Sequence, residues 1–324
     1  MTWLITGGAG YIGSHVVKEM ADQQSVVVLD DLSTGRADRL PTGVPLVVGT
    51  VLDRELVDRV LSDHAVTGIV HIAGKKQVAE SVERPLYYYR ENVDGLRTLL
   101  DAATTAGVSR FLFSSSAAVY GMPDVDLVTE ETPCQPLSPY GETKLAGEWM
   151  VAAAGRAHGM ATASLRYFNV AGAAAAELGD DGIFNLVPMV FERLAADEPP
   201  RIFGEDYPTP DGTCVRDYIH VEDIASAHVA ATRRLAEDAG AALVLNIGRG
   251  EGVSVAEMVD IILDLTGRTD VRPVAEARRP GDPARVVAAV DASAKELGWS
   301  AQHGIRTMVE SAWAGWCLRH GRPG

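Results

Sequence analysis

The chain has 324 residues, of which 44 are acidic and 29 basic, and its net charge is −15. A surface of this sign repels nucleic acid and anionic membranes, so we expect neither as a partner. The length allows a large core and two domains. Cys134, Cys214 and Cys317 lack metal-ligand spacing, so no metal is expected. These sparse cysteines and the lack of a signal-peptide pattern or long apolar stretch predict a cytoplasmic protein.

The first segment predicts a dinucleotide site. The apolar run 3–6 leads into Gly7-Gly-Ala-Gly10-Tyr-Ile-Gly13, and an amphipathic helical pattern follows to Ala21. Strand, glycine turn and helix in this order allow close backbone approach to a pyrophosphate, which binds the free N–H groups at the helix start. The next apolar run ends in Asp30 and Asp31. An acid here suits a ribose 2′-hydroxyl and favours NAD over NADP, although Asp31 could instead cap the following turn.

A tyrosine and a lysine four residues apart predict acid–base chemistry. Tyr140 and Lys144 begin a long helical pattern within Ser138-Pro-Tyr140-Gly-Glu-Thr-Lys144, so they share one helix face. A phenol needs its pKa lowered by about 3 units to act as a base at neutral pH. An ammonium ~4 Å away, at an effective dielectric of ~20, supplies about that much. Taken alone, the pair also fits a lysine that merely covers a tyrosine ring.

Apolar runs and helical patterns alternate along the chain. The strand-like runs are 45–48, 68–72, 110–113, 162–166 and 242–247, and the helical patterns are 53–63, 85–106, 140–159, 186–196 and 255–266. This alternation predicts an α/β fold with a doubly wound parallel sheet. We expect an NAD-binding Rossmann domain at residues 1–170, to which a segment around 221–248 returns. Residues 171–324 are expected to form a smaller, discontinuous, mixed α/β domain that binds the substrate.

The chain resembles the extended short-chain dehydrogenase/reductase superfamily. The glycine turn and the Tyr-Lys pair carry this resemblance, together with His71-Ile-Ala-Gly74 and Phe113-Ser-Ser-Ser116. Within the superfamily, Arg166-Tyr-Phe-Asn-Val-Ala-Gly172 and residues 202–221 resemble the UDP-glucose 4-epimerases. The resemblance extends from residue 2 to about residue 299.

The resemblance implies an NAD-dependent isomerase that interconverts UDP-glucose and UDP-galactose through a transient 4-keto sugar. Tyr140 would take the proton of the sugar 4-hydroxyl, and Ser116 would bind the same oxygen. Lys144, together with the positive charge of the nicotinamide, would keep the phenol ionisable. The implied cofactor residues are Gly7, Gly10, Tyr11, Ile12, Gly13, Asp30, Asp31, Thr50, Val51, Ile72, Ala73, Gly74, Lys76, Asn92, Ser114, Tyr140, Lys144 and Tyr167. The implied substrate residues are Lys76, Ser116, Tyr140, Phe168, Asn169, Asn185, Leu186, Ile202, Phe203, Arg216, Arg279, Asp282 and Val286.

The implied contacts to UDP have simple chemical reasons. Arg216 and Arg279 would grip the diphosphate, because a guanidinium offers bidentate bonds to phosphate oxygens. Asp282 would hold the uridine ribose, and Phe203 would lie against the uracil. The alternative for Arg216 is an ion pair with Asp217 or another acid.

Two positions are informative about ligand preference. Thr50 stands where relatives carry an Asp at the adenine amino group, so adenine recognition is expected to be weaker here. Val286 stands where some relatives carry a large Tyr. Its smaller side chain predicts that UDP-GlcNAc and UDP-GalNAc are also accepted, although Val286 equally fits an ordinary core position.

Other functions on this scaffold are less consistent with the sequence. A UDP-uronate 4-epimerase would need a cation or hydroxyl cluster beside Ser116, where Ala117-Ala-Val-Tyr120 offers none. A 4,6-dehydratase would need an Asp-Glu pair at Ala117 and Ala118. A non-catalytic NAD-sensing regulator usually lacks the Tyr or the Lys of the pair. The helical patterns 85–106 and 140–159 resemble those that form a dimer through a helix bundle in relatives, so we expect a homodimer.

Overall fold

The computed structural model describes residues 1–279 and 281–321. The strands are β1 (Thr2–Thr6), β2 (Ser25–Asp30), β3 (Leu46–Val48), β4 (Val66–His71), β5 (Arg110–Ser116), β6 (Ala161–Tyr167), β7 (Asn169–Ala171), β8 (Arg201–Phe203), β9 (Val215–His220), β10 (Ala242–Ile247), β11 (Gly252–Ser254), β12 (Val274–Glu276) and β13 (Arg285–Val286). The α-helices are α1 (Tyr11–Ala21), α2 (Arg54–Asp63), α3 (Val78–Glu83), α4 (Pro85–Tyr88), α5 (Gly95–Thr105), α6 (Pro139–His158), α7 (Leu186–Ala195), α8 (Val221–Glu237), α9 (Val255–Thr266), α10 (Asp291–Leu297) and α11 (Ile305–His320).

Seven strands form one parallel sheet in the order β10-β6-β5-β4-β1-β2-β3. The apolar face of α1 packs with α8 on one side of the sheet, and α2, α5 and α6 pack on the other. This arrangement confirms the predicted doubly wound α/β fold. The chain runs outward from β1 to β3 and then returns to β4 on the other side of β1. Ligands of such sheets bind at this switch point, beyond the carboxyl ends of the strands.

A second core covers that edge of the sheet. It is built on β9, which pairs with β11, β13 and β7, and on α7, α9 and α11, whose buried side chains include Phe191, Ile262 and Met308. Because β7 begins two residues after the last residue of β6, this core lies directly over the carboxyl ends of the parallel strands.

The structure corrects the predicted helix over 85–106. α4 and α5 are separated there by a π-helix at Tyr89–Asp94, and the wider turn lies where Asn92 faces inward and is buried. The short strands β7, β8, β9 and β11 to β13 were not predicted. The predicted strand 242–247 is present as β10 beside β6, while the division into domains at residue 170 stays a prediction, and residues 322–324 of its second domain lie outside the described residues. Within the described ranges, no helix is long and apolar enough to cross a membrane.

Candidate active site

The glycine turn after β1 lies at the switch point. Gly7 has φ +72°, and a Cβ there would lie 2.6 Å from the Ala73 nitrogen, so only glycine fits. A Cβ on Gly13 would collide with the Gly7 carbonyl. Helix α1 starts after Gly10 without a side-chain cap, which leaves the N–H groups of its first turn for another acceptor. This geometry fits the diphosphate of a dinucleotide.

Two acids end β2 beside this turn. Asp30 accepts hydrogen bonds from the Ala9 and Leu32 nitrogens, each at 2.9 Å, and burial raises its pKa. Asp31 accepts a bond from the Ser33 nitrogen at 2.9 Å, which is the turn cap considered as its alternative role. Since a carboxylate has about four lone-pair positions, both acids keep acceptors for ribose hydroxyls. The two acids at the end of β2 therefore fit the ribose hydroxyls of NAD.

One cleft brings the predicted cofactor residues together. It is lined by Gly7, Gly10, Tyr11, Ile12, Gly13, Asp30, Asp31, Thr50, Val51, Ile72, Ala73, Gly74, Lys76, Ser114, Tyr140, Lys144 and Tyr167. It is also lined by residues that the sequence analysis missed, among them Ser33, Arg39, Lys75, Ser115, Asp181 and Phe184. Most of these missed residues lie on loops or, like Arg39, in a single 3-10 turn, where periodicity carries no signal. Ser115 instead lies on β5, between the residues of the motif Phe113-Ser-Ser-Ser116 that the sequence analysis singled out. For Lys75, its place beside Lys76 was the only clue.

Asn92, one of the residues implied for the cofactor, is hydrogen-bonded to protein groups. Its Oδ1 accepts from the Lys75 nitrogen at 2.8 Å, and its Nδ2 donates to the Lys75 carbonyl and to Thr143 Oγ1, both at 3.0 Å. The side-chain amide is therefore already satisfied by protein groups. Asn92 holds the loop that carries Lys75 and Lys76, and it is absent from the residues that line the cleft.

Helix α6 carries the catalytic candidates to the cleft. Its first turn is capped by Ser138, whose hydroxyl accepts from the Gly141 nitrogen at 3.2 Å. Lys144 is 7% exposed and donates to the Ser114 carbonyl at 2.8 Å. Its Nζ lies 6.0 Å from the centre of the Tyr140 ring. Ser116, at the end of β5, is hydrogen-bonded to Tyr140.

The electrostatics of this pair differ from the expectation. Burial raises the pKa of Tyr140, and the hydrogen bond from Ser116 only partly opposes that effect. Burial also lowers the pKa of Lys144, to about 8. The prediction that Lys144 by itself lowers the pKa of Tyr140 is therefore wrong, because both charged forms lose hydration in this part of the cleft. A further positive charge is needed to ionise the phenol near neutrality.

A buried chain of hydrogen-bonded side chains joins β5 and β6 to α8. The Tyr167 hydroxyl is 2.8 Å from Ser114 Oγ and 2.5 Å from His228 Nε2. The other histidine nitrogen, Nδ1, lies 2.8 Å from the Ile224 carbonyl, which only accepts, so Nδ1 carries the proton and Nε2 accepts from Tyr167. Burial lowers the pKa of His228 to about 4, which keeps it neutral. His228 was not predicted from the sequence.

The predicted UDP residues form two contacts on the second core. Arg216 Nη2 lies 3.7 Å from Asp282 Oδ1, rather than beside Asp217, whose carboxylate accepts backbone N–H bonds. The Arg279 guanidinium lies 3.8 Å from the centre of the Phe203 ring. Four predicted substrate residues thus meet in two pairs. Each pair joins an arginine expected at the diphosphate to a residue expected at the uridine.

The other predicted substrate residues lie on nearby elements. Asn169 opens β7, and Ile202 is buried on β8. Asn185 directly precedes α7, which begins at Leu186, and its side chain makes no capping bond to that helix. Its Nδ2 donates to Asp180 at 3.2 Å. Val286 is register partner of Arg216 between β13 and β9 and is 8% exposed in an apolar cluster with Phe168.

Comparison with known proteins identifies the family. The pattern of the NAD dependent epimerase/dehydratase family matches residues 3–248. The chain belongs to this family. It is 46% identical over 307 residues to the UDP-glucose 4-epimerase of Azospirillum brasilense, covering 93% of this chain and 87% of that protein.

Solved structures of UDP-glucose 4-epimerases are similar to this chain over nearly its whole length. The UDP-glucose 4-epimerase of Brucella ovis in complex with NAD superimposes with a TM-score of 0.92 at 39% identity, covering 99% of this chain and 98% of that one. The enzyme of Bifidobacterium longum in complex with NAD+ and UDP gives a TM-score of 0.91 at 35% identity, covering 99% and 100%. The similarity therefore includes both cores.

A cluster of three side chains outside the cleft has the composition of a metal site, but its rings are not oriented to bind an ion. Ligand atoms of His220, Glu222 and His303 lie within 4.8 Å of one another. The two imidazole rings are stacked at 4.4 Å with 26° between their planes, so their in-plane lone pairs cannot converge on one ion at about 2 Å. His220 instead accepts from the Glu222 nitrogen at 3.1 Å and fixes the corner between β9 and α8.

Proposed function

We propose that the protein is an NAD-dependent UDP-glucose 4-epimerase that interconverts UDP-glucose and UDP-galactose. The observation that carries the proposal is that Tyr140 and Lys144 line the cleft that begins at the glycine turn, while Ser116, which is not among the lining residues, is hydrogen-bonded to Tyr140. The Arg216–Asp282 and Phe203–Arg279 contacts on the second core support a uridine diphosphate as the handle of the substrate.

The chain supplies the acid–base part of the reaction. Tyr140 removes the proton of the sugar 4-hydroxyl, and Ser116 donates a hydrogen bond to the same oxygen. When bound, NAD supplies the hydride acceptor and the positive charge of its nicotinamide, which is the further charge that Tyr140 needs. Arg216 and Arg279 hold the diphosphate while the 4-keto sugar turns over. As C4 regains its hydride on the opposite face, Tyr140 returns its proton to the C4 oxygen, which gives the opposite epimer.

The surroundings of Ser116 support a neutral sugar. The next residues, Ala117 and Ala118, bring no charge, and the neighbouring Ser115 hydroxyl is already bonded to Glu148. A uronate carboxylate would lack a partner here, so a UDP-uronate 4-epimerase is the weaker alternative. A non-catalytic NAD-sensing regulator is weaker still, because it would not need the Ser-Tyr-Lys arrangement.

Substitution Tyr140→Phe tests the proposal. It removes the base and keeps the ring, so we expect turnover of UDP-galactose to fall at least ~10²-fold while bound NAD is retained. Turnover is measured by chromatography of the two epimers. Tyr89→Phe, outside the cleft, is the matched control, since the Tyr89 hydroxyl bonds only exposed Glu142. Activity of Tyr140→Phe equal to that of the control would contradict the assignment.

We also propose that UDP-GlcNAc and UDP-GalNAc are substrates, because the side chain of Val286 leaves more room than a tyrosine. The wild-type protein is expected to convert UDP-GalNAc as well as UDP-galactose. Val286→Tyr should lose the first activity and keep the second, whereas Val286→Ile should keep both. Failure of the wild-type protein to convert UDP-GalNAc would refute this breadth. Val286 would then be an ordinary core residue, as its place in a buried apolar cluster suggests.

Three further proposals concern the whole chain. The division into an NAD-binding domain at residues 1–170 and a UDP-sugar domain at residues 171–324 is supported by the two separate cores. A cytoplasmic location is supported by the sparse cysteines. A homodimer is supported by the exposed apolar side chains Leu86 and Trp149, which are 82% and 66% exposed on α4 and α6.

A further inference from the structure

A buried ion pair joins α6 to the sheet behind the catalytic residues. Arg166 Nε and Nη2 donate to the two Glu148 carboxylate oxygens at 2.8 and 2.6 Å. The Ser115 hydroxyl donates to the same carboxylate. The charged side chains are only 6% and 5% exposed. We call Ser115, Glu148 and Arg166 the Glu148 cluster.

The Glu148 cluster adjoins the proposed site on three elements. Its members are the chain neighbours of Ser116 on β5 and Tyr167 on β6, and Glu148 lies one helical turn after Lys144 on α6. No other described ion pair joins α6 to the strands of the sheet. The cluster therefore ties the helix with the proposed base to the two strands that carry its partners.

The cluster also continues toward the proposed sugar pocket. Arg166 Nη1 donates to the Tyr120 hydroxyl at 2.8 Å, and Tyr120 donates to Asn246 Oδ1 at 2.7 Å. Asn246 Nδ2 donates to the Val128 carbonyl at 2.8 Å, and the Val128 nitrogen donates to the Val287 carbonyl at 2.7 Å. Val287 directly follows β13. Hydrogen bonds, joined through the backbone of Val128, thus connect α6 with the strand end beside the proposed sugar pocket.

The energetics of such a pair favour a positioning role over a stabilising one. Two buried charges lose hydration, and apolar side chains of similar size are often equally or more stabilising. Apolar packing alone, however, tolerates altered side-chain arrangements, whereas two parallel guanidinium–carboxylate bonds define both distance and orientation. A misplacement of about 1 Å in a catalytic group can reduce turnover about 100-fold.

We propose that the Glu148 cluster is a positioning device for this reaction. It fixes the placement of α6 on β5 and β6, and hence of Tyr140 relative to Ser116, and it couples that placement to the strand end beside the sugar. The inference rests on the proposed epimerase function.

The double variant Glu148→Met/Arg166→Met tests the inference. Both charges leave together, so we expect Tm to be equal to or above that of the wild-type protein. We expect kcat with UDP-galactose to fall about 10- to 100-fold. KM should stay within about twofold, since the UDP contacts are unchanged. The NAD content, released by acid and quantified, should equal that of the wild-type protein.

Val151→Ala is the matched control on the same helix. Val151 is 1% exposed in the core under α6, so its truncation leaves a cavity and lowers Tm but leaves the Glu148 cluster intact. We expect kcat near the wild-type value. The double variant should thus lose kcat without losing Tm, and Val151→Ala should lose Tm without losing kcat. If the cluster only stabilised the fold, kcat and Tm would fall together.

The outcomes are distinguishable. Wild-type kcat in the double variant, or a loss of kcat in Val151→Ala as large as in the double variant, would overturn the inference. An inactive wild-type protein with bound NAD would instead overturn the proposed function. If the double variant does not fold, Glu148→Gln, assayed well below its Tm, must show the same loss of kcat at unchanged KM; wild-type kcat in that variant overturns the inference.

Discussion

At the scale of single residues, Thr50 lines the cleft and is the residue expected at its adenine end. Its hydroxyl accepts from the Leu52 nitrogen at 3.2 Å and so already serves the backbone. A hydroxyl is a weaker acceptor than a carboxylate for a donor such as the adenine amino group. Thr50 and Asp53, which caps α2, thus belong to one short loop in which both side chains accept hydrogen bonds from the backbone.

We expect Thr50→Asp to strengthen NAD binding. One carboxylate oxygen can replace the bond to Leu52, and the other can accept from the adenine amino group. A hydrogen bond to a charged group contributes roughly 1.5–3 kcal/mol, and repulsion from Asp30 and Asp31 reduces this, so the expected decrease in Kd is about tenfold. Equilibrium dialysis of NAD against apo-protein measures it. Thr50→Asn matches the size without the charge, and equal Kd values for the two variants would show that Thr50 does not limit binding.

The individual residues of the site were predictable to the extent that they stand in motifs. The glycines, Asp30, Tyr140 and Lys144 occur in contiguous patterns whose spacing has a physical reason. The pKa shift of Tyr140 was mispredicted because burial depends on the folded cleft, which spacing does not reveal. His228 lies far along the chain from its partner Tyr167, so the hydrogen bond between them has no local signal.

At the scale of elements, α6 lies unusually close to β5. A Cβ on Gly147 would lie 2.5 Å from Phe113 Cζ. The Phe113 ring is 3% exposed and stacks on His71 at 6.0 Å, so it has little room to move. The close contact brings the helix with Tyr140 within reach of Ser116. The sequence predicted this helix within one residue at either end, but not the distance at which it packs.

We expect Gly147→Ala to destabilise the protein despite the better helix propensity of alanine. The propensity gain is up to about 1 kcal/mol, whereas overpacking costs typically about 1–3 kcal/mol. The free energy of unfolding in urea should therefore fall, and kcat should fall with it as α6 moves outward. Ala153→Gly, on the exposed face of the same helix, is the control: it should lower stability by about 1 kcal/mol and leave kcat unchanged. A more stable Gly147→Ala variant would contradict the packing argument.

At the scale of the whole molecule, the parallel sheet was predictable and the second core was only outlined. The strands of the sheet are mostly buried apolar runs with regular spacing. β10 was placed although parts of the second core both precede and follow it in the chain. By contrast, β7, β8, β11 and β12 have three residues each, too few for a periodic pattern. Their positions depend on contacts with β9 and with each other, which only the folded chain provides.

The outer face of α4 and α6 gives the last prediction. Trp149 is 66% exposed, and Leu86 and Tyr89 are 82% and 38% exposed, while α4 packs directly beside α6. Covering the exposed part of Trp149 contributes about 3 kcal/mol per chain at ~25 cal/mol per Å². In a two-fold dimer the same face serves both chains, so the contribution occurs twice. A second copy of this chain is therefore the expected occupant.

We expect the wild-type protein to be a dimer by light scattering and Trp149→Glu to be a folded monomer. The new carboxylate would be buried opposite its own copy, where it loses hydration and meets a like charge. Leu318→Glu is the matched control, because Leu318 is also exposed and apolar, at 61%, but lies on α11. That variant should remain a dimer. A monomeric wild-type protein, or dissociation by both substitutions alike, would show that this face is not the interface.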